Sequence, residues 1–102
     1  MIVRVWRARA KADNAQAYRD HLQTHVFPVL QSIEGFLGVQ LLERADGLNC
    51  EFVVESRWAD MKAVRAFAGD AFENAVVAPA AKKVLSWYDT KVEHYEVTVE
   101  RK

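Results

Sequence analysis

The order of strand-like and helix-like periodicities along this chain constrains its fold more than any other feature. Residues 2–9 are β-branched and mixed, which is typical of a strand with both faces partly covered. Apolar residues then recur at helical spacing from Ala15 to Ile33, and Gly35 ends that helix. The remaining predicted elements are strands at 36–45 and 48–58, helical regions at 60–68 and 70–85, and a strand at 88–100.

The resulting β-α-β-β-α-β order predicts one α+β domain over residues 1–102 with the ferredoxin-like split arrangement. Right-handed crossovers give an antiparallel sheet in strand order 4-1-3-2, with both helical regions on one face. Val3, Val5, Val97 and Val99 indicate that the opposite face is also apolar. An uncovered apolar sheet face in a short chain predicts a homodimer in which two sheets pack face to face.

Several local signals refine the boundaries of these elements. Asp13, with Gln16 three residues later, predicts a capped start of the first helix, and Asp60 predicts a cap for the second. Pro28 lies inside the first helix, where its missing N–H is predicted to kink or break it. Asp46-Gly47 predicts the tight turn of a hairpin.

The charge balance and the apolar pattern exclude several classes of partner. Fourteen Lys and Arg residues balance fourteen Asp and Glu residues, whereas proteins that bind nucleic acid through phosphates usually carry a basic excess. No apolar run approaches the ~20 residues that span a bilayer. The start at Met1-Ile2-Val3-Arg4 has no signal-peptide pattern. We therefore expect a cytoplasmic protein with neither nucleic acid nor membrane as a partner.

Two histidines and the only cysteine have a structural and a chemical interpretation. His21 and His25 are spaced so that both could bind one metal ion, but no third ligand is evident and no metal site is predicted. A structural or solvated role is favoured, with His25 at the edge of the apolar stripe and His21 further out. Cys50 alternates with Leu48 and Phe52, which predicts a buried, unreactive thiol.

Short motifs in the chain resemble the antibiotic biosynthesis monooxygenase (ABM) domain of the dimeric α/β-barrel superfamily. The motifs are Val5-Trp6-Arg7, Pro28-x6-Gly35-Phe36, Phe52-Val53-Val54-x3-Trp58, Phe67-Ala68-Gly69 and His94-Tyr95-Glu96-Val97. The likeness extends over essentially all 102 residues and mostly involves core and turn positions. It implies a dimeric α/β barrel with a ligand cavity between the sheet and the helices.

The resemblance implies more than one activity. Some members are cofactor-independent monooxygenases of phenolic polyketides or quinols, and others degrade haem. The positions that haem degraders use are Trp6, Phe67 and Val76 in this chain, so haem degradation is not expected. The favoured hypothesis is oxygenation of a small aromatic, quinol-like or polyketide-like substrate with no cofactor. A non-catalytic dimeric module that binds a small hydrophobic metabolite and an isomerase or cyclase on the same fold are the alternatives.

The favoured chemistry requires a deprotonated, electron-rich substrate held in a dry pocket by a base or a positive charge. His94 and Arg4 are the catalytic candidates. If Trp6 lies opposite His94 on the neighbouring strand, Arg4 lies opposite Glu96, and these two charges are expected to pair. An ordinary cross-strand ion pair beside a structural histidine is the alternative. The candidate substrate-binding residues are Trp6, Tyr18, Phe67 and Glu96.

Overall fold

One antiparallel sheet carries the helices on a single face in the computed structural model, which describes residues 1–102. The strands are β1 (Ile2–Lys11), β2 (Phe36–Asp46), β3 (Asn49–Trp58), β4 (Trp87–Tyr88) and β5 (Glu93–Glu96). Their order is β2-β3-β1-β4, and β5 also pairs with β1. The α+β ferredoxin-like fold and the 4-1-3-2 order are therefore confirmed, with β4 and β5 together in the place of the predicted fourth strand.

The first helical region is continuous but changes its hydrogen bonding midway. Its parts are α1 (Ala15–His21), a π-helical segment (Leu22–Val26) and α2 (Phe27–Gln31). The N–H of Phe27 bonds to the carbonyl of Leu22, five residues earlier. Pro28 lies in the first turn of α2, so the predicted disturbance takes the form of a π-helical turn rather than a break.

The other helices are α3 (Met61–Ala68) and α4 (Pro79–Val84). Asp60 accepts a hydrogen bond from the Ala63 N–H at 2.9 Å, so the predicted cap of α3 is confirmed. None of the helices has the length and apolar character needed to cross a bilayer.

The predicted cap of the first helix is wrong. Asp13 lies within a 3₁₀ turn at Ala12–Asn14 that precedes α1, and no side-chain cap bond forms at either helix start. Gln16 donates instead to Asp20 at 2.9 Å. The 3₁₀ turn displaces the start of α1 past Asp13, which explains the missing capping box.

The hairpin turn between β2 and β3 lies one residue later than predicted. Gly47 and Leu48 connect the paired residues Asp46 and Asn49. Gly47 has φ +60°, while Leu48 has no positive φ. A glycine with positive φ at only the first central position defines a type II′ turn, which matches the twist of the two strands.

The segment 70–78, predicted to be partly helical, forms turns and extended chain. Its backbone bonds to the chain between β4 and β5. The Ala75 N–H bonds to the Thr90 carbonyl at 2.9 Å, and the Val92 N–H bonds to the Glu73 carbonyl at 2.8 Å. These bonds pair residues 90–92 with residues 73–75, so this part of the chain leaves β1 after Asp89. The predicted continuous strand at 88–100 is therefore interrupted, and it ends at Glu96.

This interruption sets the register of β5 against β1. His94 lies opposite Arg4, and Glu96 lies opposite Ile2. The predicted pairing of Trp6 with His94 is therefore wrong by two residues, and so is the predicted pairing of Arg4 with Glu96. No ion pair joins those two side chains.

The core lies between the helices and the inward-facing side chains of β1 and β3. Tyr18 of α1 packs on Phe52 of β3 with ring centroids 4.9 Å apart, and Trp58 is fully buried. Gly35 has φ +88°, and a Cβ there would lie 2.7 Å from the Cβ of Ala63. The burial predicted for Cys50 is confirmed, and burial raises the pKa of its thiol.

The sheet face that carries no helix is more polar than we expected from Val3, Val5, Val97 and Val99. Ion pairs join Arg7 to Glu93 at 2.6 Å and Arg9 to Glu51 at 3.0 Å across this face. Between the ion pairs lie buried Val5 and several apolar side chains that stay exposed, including Leu42 and Tyr95.

Candidate functional site

A cavity opens between the sheet and the helices, and 12 of its 15 lining residues are hydrophobic. Its empty space measures about 620 Å³ with the open mouth included. The π-helical segment supplies Leu22 and Val26 to the helical wall. The lining residues are Arg4, Trp6, Tyr18, His21, Leu22, Val26, Leu30, Val54, Ser56, Phe67, Val76, Val77, Ala78, Ala81 and Val92.

Among the residues that line the cavity, Arg4 is the only one with a permanent charge, and His21 is titratable. Its side chain donates to the carbonyls of Phe72 at 2.6 Å and Asn74 at 3.2 Å. The guanidinium also lies 5.7 Å from the ring centre of Phe67. Arg4 is only 5% exposed, and no carboxylate pairs with it. Burial without an anionic partner lowers the pKa of Arg4 to about 10.

His94 lies next to Arg4 rather than on the cavity wall. Its Nε2 is 2.9 Å from the Nη1 of Arg4. Because a guanidinium can only donate, Nε2 must accept, so the ring is neutral with its proton on Nδ1. Burial lowers the pKa of His94, Arg4 lowers it further, and the carboxylate of Glu73 opposes them. In this geometry His94 is one of three groups that bind the guanidinium of Arg4.

The hydrogen bonds of Arg4 leave part of its guanidinium free. Both N–H groups of Nη1 and one of Nη2 are used, so the Nε–H and one Nη2–H are left without a partner. Ser56 lies opposite Arg4 on β3, and its Oγ accepts from the Trp58 indole N–H at 2.9 Å. The Ser56 hydroxyl proton is therefore available to a ligand. Arg4 and Ser56 together form a donor-rich spot in an apolar wall.

Sequence reasoning did not identify Ser56. The signal was present, because Ser56 alternates with Val54 and Trp58 on the inward face of β3, and a polar residue at such a position requires a partner.

The structure brings four of the six predicted site residues onto the cavity wall. Trp6, Tyr18 and Phe67 line it together with Arg4, and Trp6 is held by its indole N–H, which donates to the Asp89 carbonyl at 2.6 Å. Glu96 is exposed, does not line the cavity and forms no ion pair with Arg4.

His21, which was expected to lie further out than His25, is the histidine that lines the cavity, while His25 is exposed. Its spacing of three residues from Tyr18 places both rings on one helix face, which the sequence could have indicated. Burial lowers the pKa of His21, and the neighbouring His25 lowers it further. No group of three or more His, Cys, Asp or Glu side chains is arranged to hold a metal ion.

Comparison with known proteins defines the class of this chain. The family described as antibiotic biosynthesis monooxygenase (ABM) matches residues 1–78, and the chain belongs to this family. No curated protein matches the sequence.

Several solved structures share the fold. An antibiotic biosynthesis monooxygenase family structure from Bacillus cereus has a TM-score of 0.73 and 15% identity, over 100% of this chain and 95% of that one. The heme-degrader MhuD from Mycobacterium tuberculosis, with two hemes bound in its active site, has a TM-score of 0.62 and 23% identity over 100% of both chains. SnoaB, a cofactor-independent oxygenase from Streptomyces nogalater, has a TM-score of 0.62 and 16% identity, over 97% of this chain and 95% of that one.

The three positions that the family resemblance assigns to haem degradation, Trp6, Phe67 and Val76, all line the cavity. None of these three side chains can ligate iron. The wall at these positions is suited to apolar contact with an aromatic ligand.

Proposed function

We propose that this protein is a monooxygenase of a small phenolic or quinol-like aromatic, which it binds as an anion in the helix-side cavity without metal, flavin or haem. The observation that carries the proposal is Arg4, a buried cation on an apolar wall with free N–H donors and no carboxylate partner. A buried charge without a counter-ion is costly, and a phenolate would supply the missing negative charge.

The proposed reaction balances without a further reductant. A quinol and O₂ give a hydroxyquinone and water: one oxygen atom enters the ring, and the other leaves as water. The quinol supplies all four electrons that reduce O₂ and both hydrogens of the water. The protein then has to ionise the substrate, orient it and keep water out.

Individual residues have distinct roles in this proposal. The guanidinium of Arg4 and the hydroxyl of Ser56 hold the phenolate oxygen, which lowers the pKa of the bound phenol. His21 lines the same cavity from the helical wall, its lowered pKa keeps it unprotonated, and we assign it to take up the phenol proton as the substrate enters, before the oxygen reaches Arg4 on the sheet wall. His94, which the sequence suggested as a catalytic base or hydrogen-bond donor, positions Arg4 through Nε2 in this proposal. Trp6 and Phe67 pack on the ring and exclude water.

The test is oxygen consumption with a panel of hydroquinones, naphthoquinols and anthrones, with product identified by mass spectrometry in ¹⁸O₂. We expect one labelled oxygen in the product per O₂ consumed. Arg4→Met should abolish this activity, and Arg7→Met should retain it, because Arg7 lies on the same strand but on the opposite face. No uptake above the uncatalysed rate with any member of the panel would contradict the proposal.

We further propose that two copies of the domain formed by residues 1–102 pair through the sheet face that carries no helix. The exposed Leu42 and Tyr95 on that face support this, because a stable homodimer often buries ~2,000 Å² or more of mixed surface. Light scattering at micromolar concentration should give a dimer, and Leu42→Glu should weaken it. A monomeric wild-type protein would contradict the pairing.

A further inference from the structure

Tyr18 contains a polar group that the proposed chemistry at Arg4 does not use. The residue is 1% exposed, and its hydroxyl is fully enclosed and has no hydrogen-bond partner. Its ring is fixed in place by Phe52, 4.9 Å away between centroids. A buried hydroxyl without a partner costs about 1–3 kcal/mol, and phenylalanine would fill the same space without that cost.

The position of Tyr18 connects this unpaired hydroxyl to a ligand. Tyr18 belongs to α1 and lines the cavity from the helical side, whereas Arg4 lines it from the sheet. The two residues are thus polar groups on different walls of a space that is otherwise almost entirely hydrophobic. In ligand-binding cavities, a small number of polar groups that converge in an apolar space typically fix the orientation of the ligand.

The protonation state of Tyr18 determines what it can bind. Burial raises the pKa of its phenol, so the hydroxyl keeps its proton over the physiological range. It therefore donates to a neutral or anionic oxygen and does not serve as a base. Its neighbour His21 has a ring centroid 6.5 Å away and makes no hydrogen bond to it.

We infer that the ligand carries two oxygen substituents on one aromatic frame, an ionisable one held by Arg4 and a second one that accepts a hydrogen bond from Tyr18. This inference rests on the proposed function, since it assumes the phenolic ligand at Arg4. It makes Tyr18 a specificity-determining residue that distinguishes doubly oxygenated aromatics from simple phenols, because only the former give its buried hydroxyl a partner.

The experiment compares the binding of one-oxygen and two-oxygen probes under argon. The probes are 2-naphthol and the 1,5-, 2,6- and 2,7-dihydroxynaphthalenes, and binding is measured by calorimetry on wild-type protein and on Tyr18→Phe. We expect at least one diol to bind the wild type about threefold to tenfold more tightly than 2-naphthol, which is the range of one neutral hydrogen bond. The Tyr18→Phe variant should lose this preference while its affinity for 2-naphthol is unchanged.

The possible outcomes separate the two proposals. If 2-naphthol and the diols bind but Tyr18→Phe keeps the same preference, the inference about Tyr18 is wrong while the anion site at Arg4 stands. If no probe binds the wild type, the proposed function fails together with the inference. If Tyr18→Phe weakens all probes equally, Tyr18 shapes the cavity without recognising a second oxygen, and the inference is again overturned. Thermal unfolding of both proteins checks that the variant is folded.

Discussion

Replacing Arg4 by methionine should reverse the effect of the cavity on the pKa of a bound phenol. Burial lowers the pKa of Arg4 from 12.5 to about 10, and at 1.36 kcal/mol per unit this corresponds to about 3 kcal/mol of lost solvation for the cation. A phenolate beside the guanidinium restores a large part of that energy. The apolar wall acts in the other direction, because desolvation raises the pKa of any phenol it encloses.

The balance of these two effects gives the expected values. With 4-nitrophenol as the probe, we expect its bound pKa to lie about one unit below its value in water in the wild type. In Arg4→Met only desolvation remains, so the bound pKa should lie about one unit above that value. The separation of about two units corresponds to about 3 kcal/mol, which is of the same order as the lost solvation of Arg4.

The assay is direct, since 4-nitrophenolate absorbs at a longer wavelength than the neutral phenol, and a pH titration of the bound probe gives its pKa. Arg4→Lys keeps the charge without the planar donors and should give an intermediate value. Arg7→Met on the opposite face is the matched control and should behave as the wild type. A bound probe whose pKa in the wild type is equal to or above that in Arg4→Met would refute the reasoning, provided that circular dichroism shows both proteins folded.

Three further predictions concern stability, each measured by urea unfolding. The free energy of unfolding should fall as the pH is lowered below 6.5, because His94 takes up a proton more readily in the unfolded chain than in the folded protein. His94→Gln should reduce this pH dependence. The same slope of unfolding free energy against pH in wild type and variant would contradict the prediction. Gly35→Ala should cost about 3 kcal/mol from backbone strain and steric overlap, against about 1 kcal/mol for Gly47→Ala, which has the same sign of φ but open space; equal costs would argue against the overlap. Asp60→Ala should cost about 1 kcal/mol, whereas Asp13→Ala should cost almost nothing, and the reverse order would restore the capping box predicted from sequence.

The topology of the sheet was predictable because it depends on which residues alternate and in what order. Alternation in β1 and β3 places Arg4, Trp6, Val54 and Ser56 on the same face, whatever the details of the loops. Because Arg4 and Trp6 are two residues apart on one strand, the sequence alone placed them on the same face of the sheet. Local periodicity is sufficient for such assignments, since each strand contains the information about its own two faces.

The partner of Arg4 was not predictable, because it depends on contacts between distant segments. The register of β5 follows from backbone bonds that Glu73 and Ala75 make to the chain between β4 and β5, and these leave no mark on the alternation around His94. The same parity therefore allowed Glu96 opposite Arg4, which would have neutralised the guanidinium. The proposed anion site depends on this shift of two residues in the register of β5, because the observed register leaves Arg4 without a carboxylate partner.

The π-helical turn lets the helical wall of the cavity contain one extra residue while both of its halves still face the sheet. Such a turn holds one residue more than an α-helical turn, and each residue of an α-helix rotates the following ones by about 100°. The turn therefore absorbs one residue between Leu22 and Val26, and deleting that residue would restore regular helical bonding while Leu30 stays on the same face as Tyr18. Regular bonding with the residue retained would instead turn Leu30 away from Tyr18 by roughly that angle. The helical wall thus keeps its facing only as long as residue count and hydrogen-bond pattern change together.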